Sequence, residues 1–159
     1  MNQVLFKNEV EITKRWLFYI ENEASALMQR DGFAIQNYSD RELFNPDMED
    51  YLSTDEAGDA VDAFHDTESL NLNLIEEIRT NAVPTKVRLR FRKLKTKIKQ
   101  VFCDVVHSIE GLDTKGIIKA VLIALIPAFA TGIPALVLPI IIAMVAYLLK
   151  YGIEKTCPV

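Results

Sequence analysis

The chain has 159 residues, enough for one ordinary domain or for a small domain plus a membrane segment. A quarter of it is charged, ordinary for a soluble protein, and half is apolar, at the upper edge of the usual range. The net charge of −4 conceals a split: residues 1–85 carry 18 acidic and 6 basic side chains, residues 86–159 carry 4 acidic and 12 basic. Such asymmetry points to an acidic region followed by a basic, surface-binding one. The two cysteines, Cys103 and Cys157, are too few for a disulfide framework or a cysteine zinc site, so a reducing compartment is expected.

The N-terminal MNQVLFKNEVEITKRW has no uninterrupted apolar core, so no signal peptide is expected. Cys157 lies third from the end, and a prenylation box needs it fourth. From Gln3 to Arg30 the apolar residues Val4, Ile12, Trp16, Tyr19, Ile20 and Leu27 recur at helical spacing, and Asp31-Gly32 is a stop signal. A loop or short turn is expected from Phe33 to Asn45. Ser53-Thr54-Asp55-Glu56 has capping-box spacing, with Ser53 as N-cap of a helix from Thr54 to about Phe64. Its apolar face is small: Ala57, Ala60, Val61 and Phe64. Leu74, Ile75 and Ile78 fit a further helical turn, and Asn81 to Thr85, with Pro84, reads as a linker.

From Lys86 to about Glu110, Val87, Phe91, Leu94, Ile98, Val101, Val105 and Ile109 form a near-heptad seam. The part of this helix from Lys86 to Lys99 holds eight basic residues and no acid: Lys86, Arg88, Arg90, Arg92, Lys93, Lys95, Lys97 and Lys99. Gly111 ends the helix, and Asp113 is the expected N-cap of the next.

Ala120 to Leu149 then runs thirty residues without a charge. As one straight helix it would be about 45 Å long against a hydrocarbon core of about 30 Å. Gly132, Pro134 and Pro139 break it instead into two arms, about Thr114 to Phe129 and Pro134 or Pro139 to Tyr151, with Gly152 as the stop. Basic residues flank both ends, which puts both on the cytoplasmic side if the arms enter a bilayer.

The basic helix suits an anionic lipid surface, where each cation contributes about 1 kcal/mol. Nucleic acid is disfavoured: base-stacking residues are missing around the charge, Phe91 and Phe102 lying on the seam. Asp55, Asp59, Asp62 and Asp66 line one helix face; they form either a candidate docking stripe for the basic helix or a solvated face. Asp59, Asp62, His65 and Asp66 carry no metalloenzyme signature. Cys103 and His107, four apart in an apolar setting, read as structural residues. With no phosphate loop or nucleophile motif, neither catalysis nor a cofactor is expected.

The expected fold is all-α: an acidic helical head over 1–82, a linker at 83–85, a basic amphipathic helix over 86–110 and an apolar helical hairpin over 111–159. The layout is similar in kind to small membrane-disrupting effectors and to the hydrophobic hairpin of pore-forming bacteriocins, in architecture and without a shared motif. The first functional expectation is a non-enzymatic effector or toxin-like protein. Its head would lie in the cytoplasm and bind a protein partner, and its hairpin would insert or oligomerise at the cytoplasmic membrane. The alternative is a soluble oligomeric helical adaptor. Fewer than 120 other residues are expected to be too few to cover both arms in a monomer, so a homo-oligomer is expected either way.

Overall fold

Thr13 starts the first helix. Its hydroxyl accepts from the Trp16 amide, a side-chain N-cap, and α1 runs Lys14–Gln29 behind it. The computed structural model describes residues 4–30, 46–62, 85–109, 111–129, 131–153 and 157. The helix expected from Gln3 begins only at Lys14, and the chain before it forms a short strand and a 3-10 turn. Strand β1 (Val4–Phe6) pairs antiparallel with β2 (Ile133–Pro134), Val4 opposite Pro134 and Phe6 opposite Ile133. Between β1 and α1, Asn8 caps a short 3-10 turn, Glu9–Glu11, accepting from the amides of Val10 and Glu11.

Two short helices follow, α2 (Pro46–Leu52) and α3 (Asp55–Asp62). The N-cap of α3 is one residue later than the capping box implies. Thr54 Oγ1 accepts from the Ala57 amide at 3.1 Å, while Ser53 Oγ turns back to donate to the Asp50 carbonyl at 2.7 Å. Then come α4 (Thr85–Ser108), α5 (Thr114–Leu125), a 3-10 turn at Ile126–Ala128, β2, and α6 (Leu138–Tyr151). Asp113 caps α5 by accepting from the Gly116 amide, as the sequence implies, and Gly152 ends α6 at positive φ. The loop expected over 33–45, the helical turn at 74–78 and the linker up to residue 84 lie outside the described residues.

The architecture is all-α, with a single two-stranded pairing among the described residues. The four longer helices pack so that α1 and α4 each contact both apolar arms, α5 and α6, while the arms make little contact with each other. The two arms thus occupy opposite corners of a four-helix arrangement, and the connection 126–137 links one corner to the other. Strand β1 clips onto that connection at β2. Helices α2 and α3 lie against α4. By charge, α1 belongs with the acidic region; by packing it belongs with the apolar arms.

The apolar block is the core. In α6, nine residues from Leu138 to Leu148 are buried, and in α5 Ile117, Ile118, Val121, Leu122 and Leu125 are buried. One chain achieves this coverage, which removes the reason for expecting an oligomer to shield the arms. The heptad seam of α4 points inward from Val87 to Val105, all buried; Ile109, just past the helix end, is exposed. In α1 the buried residues are Leu17, Ile20 and Ala24; of the residues expected at helical spacing, Ile12 and Ile20 are buried, Trp16 and Leu27 half-buried and Tyr19 exposed.

Candidate functional site

Three surfaces on this bundle have site-like chemistry: the basic helix, the turn between the arms, and a cleft beside α1.

Helix α4 is built from good helix formers, Lys, Arg and Leu, around its apolar seam. Its eight cations separate into distinct environments. Lys86 and Lys99 are exposed; Arg92, Lys93, Lys95 and Lys97 are half-buried; Arg88 and Arg90 are buried. Arg90 turns inward to the head. Its Nη1 donates to the carbonyl of Leu52, the last residue of α2, and to the Thr54 carbonyl at 2.9 Å. At Leu52, the C-terminal end of α2, the guanidinium serves a terminal carbonyl and complements the helix dipole; the Thr54 carbonyl, at the N-cap of α3, accepts from the Gly58 amide as well. Gly58 of α3 sits against the same guanidinium, so close that a Cβ there would come within 2.4 Å of Nη2. Lys95 lies over the Phe91 ring, 4.8 Å from its centre. Lys115 and Lys119 on α5 extend the basic character, Lys119 being exposed.

Helix α3 meets α4 through its small face, with Ala57, Gly58 and Ala60 buried. Asp55 and Asp59 of the acidic stripe are exposed; the Asp62 side chain and Asp66 lie outside the described residues. The contact between head and basic helix thus uses an arginine on backbone carbonyls and small residues for close approach.

At the turn, Gly132 has φ +101°, and a Cβ there would lie 2.5 Å from the Phe6 carbonyl oxygen. Only glycine meets both requirements, positive φ and close passage of β1. Pro134 is buried in β2, and the exposed Pro139 stands in the first turn of α6, where its missing N–H costs nothing.

Cys103 and Cys157 form a disulfide, with Cα atoms 5.4 Å apart. Two cysteines, too few for a disulfide framework, thus make a single bridge that the sequence reading did not foresee. The cross-link fastens the segment after α6 to α4. Exposed His107 reinforces it, its Nε2 standing 3.0 Å from the Cys157 carbonyl oxygen. Cys103 is half-buried and His107 exposed, and the two are joined through Cys157, a partner that their spacing did not indicate.

A cleft of about 830 Å³ opens between α1 and the start of α6, within the size range of ligand sites. Trp16, Tyr19, Leu138, Pro139 and Ile142 make its apolar walls; Arg15 and Glu23, two helical turns apart, are the charged side chains lining it. Trp16 is held edge-on between Phe6 and Tyr19. The sequence reading placed Trp16 and Tyr19 on a helix by their spacing; that they line an open cleft depends on where α6 packs, which the spacing does not carry. No family, curated protein or solved structure matches the chain.

Proposed function

We propose that this protein is a non-enzymatic helical interaction protein that keeps its apolar segment as the core of the single chain and binds partners through its surface. The observation that carries this reading is the burial of α6 between α1 and α4. Helices α5 and α6, with 12 and 14 residues, have lengths of about 18 and 21 Å. Neither matches a hydrocarbon core of about 30 Å, and among the described residues no helix is long and apolar enough to cross a membrane. The aromatic cleft beside α1 and the acidic face of α3 are the surfaces offered to protein partners. Cell fractionation tests the proposal: the full chain is expected in the supernatant without detergent, and a carbonate-resistant pellet would overturn it.

A second reading has its own support. The two arms barely touch, so each relies on α1 and α4 for cover. An anionic bilayer that held the basic α4 would let both arms part from α1, which no covalent link fastens to them, as a membrane-perturbing effector requires. Dye release from vesicles rich in anionic lipid, and none from neutral ones, is the expected signature; intact vesicles of both kinds would sink this reading.

A further inference from the structure

We infer that the exposed face of α1 is a self-complementary surface on which two copies of this chain associate antiparallel, about a two-fold axis passing by Tyr19. This goes beyond the proposed function and holds whether or not the apolar segment ever meets lipid.

The ridge that lines the cleft is Arg15, Tyr19 and Glu23, successive i, i+4 positions on one side of the helix. All three are exposed, and Tyr19 keeps 50% of its surface in solvent. Phe18 beside it keeps 64%, an unusual density of exposed aromatic surface on one helix. The charges are placed symmetrically about the ring: a cation four residues before Tyr19, an anion four residues after. A two-fold axis at Tyr19 sets Arg15 of each copy opposite Glu23 of the other and brings the two Tyr19 rings together. It also carries Phe18 toward Phe18 on one flank and cleft toward cleft on the other. Packing of i±4 ridges from two helices is the commonest helix–helix geometry, with axes crossing at roughly 50°. Such an isologous contact closes on itself and gives a dimer.

The energetic roles divide. Exposed ion pairs contribute little affinity, so the rings and the apolar cleft walls must supply it. The charges set direction: a parallel arrangement would place Arg15 on Arg15 and Glu23 on Glu23, and like charges in register are strongly penalised. The charge pattern is the reason to name a second copy as the occupant. An unrelated apolar helix would satisfy the rings but would have no reason to offer an anion and a cation at this spacing.

Sedimentation of the full chain tests the inference. Wild-type protein is expected at twice its 18.0 kDa chain mass. Arg15→Glu and Glu23→Arg each create two like-charge juxtapositions per dimer and are expected to weaken self-association on the order of a hundredfold. Both positions are exposed, so the urea unfolding midpoint extrapolated to monomer should not move. Mixing the two single variants restores opposite charges at every contact and is expected to yield a heterodimer; the double variant R15E/E23R is expected to dimerise by itself. A monomeric wild type, an assembly that both single variants leave intact, or a mixture that fails to associate would each overturn the inference.

Discussion

Arg90 joins the head to the bundle with one side chain, and its planar fork matters as much as its charge. It is 7% exposed and donates to the carbonyls of Leu52 and Thr54. Arg90→Met is expected to cost about 2–3 kcal/mol, because hydrogen bonds from a charged donor are lost and the Leu52 carbonyl loses this donor, while the Thr54 carbonyl keeps the Gly58 amide. Arg90→Lys should recover only part, since one ammonium lacks the fork geometry. Urea unfolding measures both. Gly132 is the other residue on which much turns. Gly132→Ala meets positive φ and the Phe6 carbonyl together, and should cost about 2 kcal/mol or more while freeing the β1 amides to exchange with solvent. The two positions differ in how far the sequence betrayed them. Gly132 stood out beside Pro134 in an apolar run, where only a turn explains it. Arg90 was one of eight cations on a helix, and nothing local separates one aimed at a distant carbonyl from one aimed at water.

The longer helices were legible because their ends carry local chemistry. Asp113 and Gly152 mark boundaries that the structure keeps, and the seam from Val87 to Val105 sets which side of α4 faces inward. Strand β1 was not legible: three residues carry no periodicity, and their partner lies far along the chain, in the turn between the arms. The disulfide was hidden for a related reason. Composition argues against a framework of bridges but cannot show that the tail after α6 returns to α4. That bridge spans 54 residues of sequence. Closing a loop of this length is expected to stabilise the fold by about 4 kcal/mol on the chain-entropy model. Replacing both cysteines by serine should remove roughly that amount, and dithiothreitol should lower the wild-type urea midpoint but leave the double variant unmoved. Thiol labelling of denatured, unreduced protein is expected to find no free thiol.

At the scale of the molecule, the main question was how an apolar run of thirty residues is kept from water. Two arms side by side would have hidden one face each and left the rest bare. Placing them at opposite corners lets α1 and α4 cover both, so two amphipathic helices do what otherwise requires lipid or a second chain. The cover is unequal in origin. Helix α4 is tied to the arms covalently, through Cys103 and Cys157, whereas α1 is held by packing, by β1, and by Lys150, which donates to the Arg30 carbonyl at the C-terminal end of α1. Helix α1 is therefore the removable half. Deleting residues 1–30 is expected to expose the α1-facing sides of α5 and α6, a patch well beyond what monomers tolerate. The truncated chain should bind a hydrophobic dye and either aggregate or require detergent, while the full chain does neither. If the truncated chain instead remained monomeric and dye-silent, α1 would not be the cover of the core. Retained helicity by circular dichroism would separate an uncovered bundle from an unfolded one.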